Sequence, residues 1–331
     1  MGRSAHSCKG AQVGLFVASY FPSGVPVGPE IDRVISQVTD AEELGFDSIF
    51  LGHHYLSSGA FLQPIATLSY LAAITKRLRL GLGVQLLSLH NPIAVAEELA
   101  TLNALSKGRL IAGFGAGYRE KEFIAFGIPF AERFIRIEEN IKVFAALING
   151  DEVNSSGKFG EIRKARVHLG KSMTAPPVWL GAFGDVGIKR CARLGFSWLA
   201  GPEGSEEVLR SRLALFRSTA ESNSVALPDE SPLVREVYVA ETDEEALNHA
   251  RPYLERQYSE YKSWGHGLSI DDLILRDAVI GSPETVVGRL NRYIALGFTS
   301  IIVRSEWPGM PKDSIDRSVY LLGREVIPRL N

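Results

Sequence analysis

The chain has 331 residues, of which 45% are hydrophobic and 22% charged; these proportions are those of an ordinary globular protein and exclude a disordered or fibrous one. Its formal net charge of -2 gives no electrostatic reason to expect nucleic acid or an anionic membrane surface as a partner. Its two cysteines, Cys8 and Cys191, make no disulfide framework and point to a reducing, cytoplasmic setting, and no run approaches the ~20 apolar residues of a membrane span.

Residues 1–11 mix small and polar side chains without an apolar signal core, so a disordered tail is expected ahead of a single domain over 12–331. Val13 to Ser19 is a first apolar strand, followed by a Pro/Gly-rich loop. A helix then shows Ile31, Val34, Ile35, Val38, Ala41 and Leu44 at 3.6-residue spacing. Leu44-Gly45 closes it, and Ser48 to Leu51 forms a short buried strand that runs into His53-His54. The same joint recurs at Leu194-Gly195-Phe196 and Leu296-Gly297-Phe298, each with a glycine suited to a left-handed helix cap before an apolar run. Three copies of one joint imply a repeated βα unit.

The third strand, Leu78 to Leu87, carries Gly81 and Gly83, which mark a bulge or a close approach by backbone or ligand. A helix through Val95, Leu99 and Leu102 leads to a fourth strand, Leu110 to Phe114, and on to Gly115-Ala116-Gly117-Tyr118. After a helix through Ile137, Ile141 and Phe144, residues 150–176 lose all periodicity and read as an insertion over the barrel mouth. Strands at Val178 to Gly181, Trp198 to Ala200 and Leu233 to Ala240 follow. A second insertion around Trp264 to Leu275 precedes the helix Pro283 to Leu296, which feeds an eighth strand at Ser300 to Val303. Eight mostly apolar strands alternating with helices fit a closed α/β TIM (β/α)8 barrel with insertions at its C-terminal face.

In such a barrel, chemistry belongs at the C-terminal strand ends. Strand alternation sends His53 and His54 to opposite sides, so they make a poor chelate; either one imidazole faces the mouth and handles protons, or both only cap the strand. At Gly83-Val84 a flat ligand can rest on the main chain, or a bulge serves barrel curvature alone. Gly181-Ala182-Phe183-Gly184-Asp185-Val186-Gly187 lies between a strand and a helix, where exposed backbone N–H groups favour phosphate. The glycines from Gly113 to Gly117 lack the spacing of a dinucleotide fingerprint. Arg304, at the end of strand eight, either meets an anionic group or forms a salt bridge at the rim. The sequence holds no zinc-type His or Cys spacing and no Gly-x-Ser-x-Gly elbow.

Taken together, several stretches resemble the bacterial luciferase-like family of flavin-dependent monooxygenases, from Val13 to about Pro328. They are Leu44-Gly45-Phe46-Asp47-Ser48-Ile49 with His53-His54, Leu80-Gly81-Leu82-Gly83-Val84 with His90-Asn91-Pro92, and Ser106-Lys107-Gly108-Arg109-Leu110. Gly115-Ala116-Gly117-Tyr118 with Glu122 to Phe130 and Arg133, Pro177 to Gly181, and Gly281-Ser282-Pro283-Glu284 complete the set. The resemblance implies a flavin at the barrel mouth, with a non-proline cis peptide at Gly83-Val84 behind its ring. It places the phosphate at Ala182-Phe183-Gly184, gives Gly115, Tyr118 and Gly181 a share in the site, and brings one histidine to the reactive edge. His53 matches the luciferase pattern and His54 that of deazaflavin-using relatives. The implied reaction is oxidation of a small organic substrate by O₂ and reduced FMN, through a flavin (hydro)peroxide. The resemblance further implies a separate reductase that supplies the FMN, and a homodimer. The same resemblance keeps open a deazaflavin-dependent dehydrogenase or reductase, or a non-catalytic flavin-binding barrel. Gly115 and Ala116 stand where luciferase itself has a reactive cysteine and a phosphate-binding arginine, which argues against light emission and leaves the phosphate to Arg119 or backbone amides.

Overall fold

The computed structural model describes residues 11–158, 160–263 and 273–331. The expected tail lies outside these apart from Ala11, as does most of the second insertion. Eight parallel strands form the barrel: β1 (Gln12–Phe16), β2 (Ser48–Leu51), β3 (Arg79–Leu82), β4 (Leu110–Gly115), β5 (Val178–Gly181), β6 (Ser197–Leu199), β7 (Pro232–Val239) and β8 (Ser300–Arg304). Their order is β6-β5-β4-β3-β2-β1-β8-β7, and a bridge between Ala200 and Leu233 joins β6 to β7 and closes the ring. A further short strand, Val279–Gly281, pairs with the last residues of β7.

The helices that follow the strands are α1 (Val27–Glu43), α2 (Pro64–Ile74), α3 (Pro92–Leu105), α4 (Arg133–Ile148), α5 (Asp185–Leu194), α6 (Glu206–Ser222), α7 (Asp243–Ser263) and α8 (Pro283–Leu296), with α9 (Lys312–Leu321) after β8. The three repeated joints behave as expected. Gly45, Gly195 and Gly297 have φ of 88°, 74° and 105°, and Phe46, Phe196 and Phe298 each donate N–H to a carbonyl in the last helical turn. Arg109 closes another helix end, donating to the carbonyl oxygens of Ala72 and Thr75 at the end of α2.

Among the described residues, the stretch 150–176 is anchored away from the mouth. It leaves the N-terminal end of the barrel after α4, where Asn103 of α3 bonds the Thr174 carbonyl and Arg166 bonds that of Gly150. A hairpin of Val153–Gly157 and Gly160–Ala165 then runs along α4, and Lys158 near its tip pairs with Glu132 just ahead of α4's first turn. The reason is topological: a helix-to-strand connection in a βα barrel starts at the face opposite the site.

Two cores result. The larger lies between strands and helices; the smaller fills the barrel with Phe50, Ile111, Trp179, Leu199 and Ile302. Phe50 stacks on Trp179 at 5.4 Å, and its ring occupies the space that side chains on Gly14 and Gly81 would need: a Cβ on Gly81 would lie 2.1 Å from it. Gly81 is thus explained by packing inside the barrel, with no ligand involved.

Candidate active site

The inward-facing rows can be followed upward from the inner core by strand alternation. Above Phe50 comes Gly52, above Gly81 comes Gly83, above Ile111 come Gly113 and Gly115, above Trp179 comes Gly181, and above Leu199 comes Gly201. On five adjacent strands, β2 to β6, the inner row therefore reaches glycine at or just past the strand end. On the other side Val234 is followed by Glu236 and Ile302 by Arg304, while β1 ends in Phe16.

The glycine-ended arc is a stretch of backbone onto which Phe16, Val84 and Phe183 lean. The bond between Gly83 and Val84 is cis, in agreement with the sequence reading. Val84 projects toward its neighbours, since a Cβ on Gly115 would lie 2.5 Å from its Cγ2 and one on Gly181 3.8 Å from its Cγ1. Gly201 is covered by the Phe183 ring, whose nearest atom would be 2.5 Å from an added Cβ. Ala182 is held in place by its carbonyl, which accepts from Trp198 Nε1 at 2.9 Å. Gly184 is the N-cap of α5, where no side chain among the described residues caps the helix, so its first backbone N–H groups suit an anion. A planar ring on the arc with a phosphate at this helix start fits the residues present. Arg119 reaches Ser57 Oγ at 3.4 Å, on the loop after β2, so the two grips considered for the phosphate lie on different loops.

The two histidines have separated. His54 continues the row of Phe50 and Gly52, and its side chain keeps 18% exposure. Its Nδ1 lies 3.0 Å from Glu122 Oε1 and its Nε2 3.1 Å from the Tyr118 hydroxyl, while its ring stands edge-on to Phe61 and Tyr118. His53 is 3% exposed, accepts the Leu86 N–H at Nδ1, and packs against Tyr55 and His90. Burial, reinforced by the charge of His90, lowers its pKa to about 3, so it is neutral at any physiological pH. Burial also lowers that of His54, against the opposing pull of Glu122. The pattern around Tyr55 is similar: its hydroxyl, 3.0 Å from His90 Nε2, is pushed up to about 12 by burial and stays protonated.

Glu122 was visible in the sequence only as one letter of a motif. It lies in the short helix Glu120–Ala125, is fully buried, and accepts on Oε1 both from His54 and from the Tyr55 N–H at 2.9 Å. The signal available was an acid one position before Phe123, an apolar anchor of a satellite core with Leu86 and Leu89. On the opposite half of the rim, Glu236 is fully buried and takes Arg304, the Trp307 indole N–H at 2.8 Å and the Tyr258 hydroxyl at 2.7 Å. Arg304 is thus the salt-bridged rim arginine of the two alternatives.

A family model described as luciferase-like monooxygenase matches residues 11–300. The chain belongs to this family. Its luciferase-like relatives are oxidoreductases with different coenzymes. It is 26% identical to an F420-dependent glucose-6-phosphate dehydrogenase of Amycolatopsis mediterranei over 94% of this chain and 97% of that one. It is 26% identical to limonene 1,2-monooxygenase of Rhodococcus erythropolis, over 96% of this chain and 86% of that one. Among solved structures, the oxygenating constituent of 3,6-diketocamphane monooxygenase from Pseudomonas putida, in complex with FMN, superposes with a TM-score of 0.81 at 18% identity, over 98% and 99% of the two chains. The TIM-barrel reading is upheld, and no helix among the described residues is long and apolar enough to cross a membrane.

Proposed function

We propose that this luciferase-like oxidoreductase carries a flavin on the glycine-ended arc and uses reduced FMN and O₂ to oxidise a small organic substrate. The observation that supports it is the inner row of glycines on β2 to β6, which raises no side chain of its own, beside a helix start with no side-chain cap. Gly83, Val84 and Gly115 would lie under the ring, Tyr118 at its edge, and Gly181, Ala182, Phe183 and Gly184 around the phosphate. Reduced FMN, when bound, supplies the electrons that activate O₂. The chain's own contribution is to exclude water, to hold the substrate, and to keep a neutral His54 hydrogen-bonded to Tyr118 at the mouth. His53, packed against Tyr55 and His90, supports this wall from behind. A separate flavin reductase, a cytoplasmic location and a homodimer belong to the same reading.

A second reading, a deazaflavin-dependent dehydrogenase, is favoured by one observation. His54 Nδ1 faces Glu122 and its Nε2 faces the Tyr118 hydroxyl, so that with the proton held on Nδ1 by the carboxylate Nε2 would be a proton acceptor; oxidation of a hydroxyl by hydride removal needs one. The two are separated by assaying the purified chain with FMNH₂ under O₂ and with F420 under nitrogen, each against a panel of alcohols, ketones and terpenes. Substrate-dependent O₂ consumption with FMNH₂ alone upholds the first reading. Substrate-dependent F420 reduction without O₂ replaces it with the second.

A further inference from the structure

We infer that Tyr118 is the group that exchanges a proton with the substrate's oxygen, that His54 relays this proton, and that the buried Glu122 is the positioning residue behind them. The inference rests on the proposed coenzyme site, because Tyr118 follows directly on the β4 end of the glycine arc. It assigns Tyr118 to chemistry, where the sequence had suggested a coenzyme contact.

Three side chains stand in line: Tyr118 hydroxyl to His54 Nε2 at 3.1 Å, and His54 Nδ1 to Glu122 Oε1 at 3.0 Å. Glu122 is held by the Tyr55 N–H on that same oxygen, while its Oε2 has no partner among the described residues. A carboxylate fixed by a backbone donor and facing Nδ1 selects the tautomer protonated there, which leaves the Nε2 lone pair to accept from tyrosine. The other groups around His54 are Arg119 and Lys121, whose charges oppose an imidazolium, the edge of Phe61, and Gln63, which bonds its carbonyl. Burial and these cations favour the neutral imidazole, the form that can receive a proton.

The transfer balances without any added reagent. The substrate O–H bond breaks and its electron pair stays on the substrate oxygen. That proton goes to the Tyr118 oxygen as the tyrosine's own proton passes to His54 Nε2, and the imidazolium so formed is stabilised by the Glu122 carboxylate. After product leaves, His54 returns the proton to water. The reverse order delivers a proton to a substrate oxygen.

The test uses the full chain labelled with ¹⁵N-histidine, first without coenzyme and then in steady state with whichever of FMN or F420 it binds. In the wild type the His54 imidazole should be in the Nδ1–H form. Tyr118→Phe should move its Nε2 resonance and leave the tautomer unchanged. Turnover by Tyr118→Phe should fall about 100-fold while coenzyme Kd changes by less than about 2-fold. Glu122→Gln keeps an acceptor but removes the charge, so the rising limb of the rate–pH profile should shift to lower pH and kcat should drop with little change in KM. An Nε2–H tautomer in the wild type, or a Tyr118→Phe enzyme with unchanged kcat across the pH range, overturns the relay. Failure to bind either coenzyme instead overturns the coenzyme reading, and the tautomer measurement still decides the relay geometry.

Discussion

The two sides of the barrel mouth are built from opposite materials. From β2 to β6 the inner row runs into glycine, which raises no side chain of its own; at β7 and β8 it ends in Glu236 and Arg304, which pair with each other. The lesson is that an arginine at a strand end is not by itself an anion site. Two indole and phenol donors, from Trp307 and Tyr258, complete the shell around Glu236 and make this half a structural lock. A glycine-ended rim and a salt-bridged rim thus share one ring of strands.

The largest effect should come from opening the lock. Glu236→Leu leaves Arg304, the Trp307 N–H and the Tyr258 hydroxyl without their acceptor in a buried site, and should lower unfolding free energy by about 3–5 kcal/mol in urea titrations. A loss below the range of ordinary surface substitutions would show that the two halves do not differ in this way.

Behind the glycine arc, His53 gives a pH signature. Its pKa lies near 3 in the folded chain against an ordinary 6.5, so above 6.5 it is neutral in both states and costs nothing. As pH falls below that value the unfolded chain takes up a proton that the folded one refuses, and stability declines by up to about 1.4 kcal/mol per pH unit until the folded group protonates. His53→Gln should flatten this part of the stability curve between these two pH values; an unchanged slope would mean that His53 titrates normally.

The smallest effect concerns the layer beneath the arc. Gly81→Ala drives a methyl group into the Phe50 ring and should cost about 1–3 kcal/mol, with partial recovery in the Gly81→Ala, Phe50→Leu double variant. Additive losses in the pair would contradict the assignment of Gly81 to inner packing.

Much of this architecture was readable beforehand. The eight strands and three glycine-capped joints are local features: apolar runs and a residue that must take positive φ announce themselves within a few positions. The strand Val279–Gly281 is too short to carry a period, and it adjoined a stretch that read as an insertion. The path of residues 150–176 was misjudged because loss of periodicity says nothing about which face a loop visits; the order of helix and strand does. At the site, the histidine pair and the cis bond at Gly83-Val84 were legible. The choice between His53 and His54 was not, since it depends on Glu122, 68 positions along the chain from His54, and on Leu86 closing over His53. Gly81 and Gly83 looked alike in sequence, yet a Cβ would lie 2.1 Å from the Phe50 ring at one and 3.1 Å from the Phe16 ring at the other.

We propose that the glycine-ended arc from β2 to β6 receives a planar tricyclic coenzyme. A crystal structure of the chain soaked with FMN, and separately with F420, tests it most directly. Ring density is expected on Gly83–Val84 with the phosphate at the start of α5; ring density only elsewhere on the barrel, with the arc closed over by the chain's own side chains, would contradict the proposal.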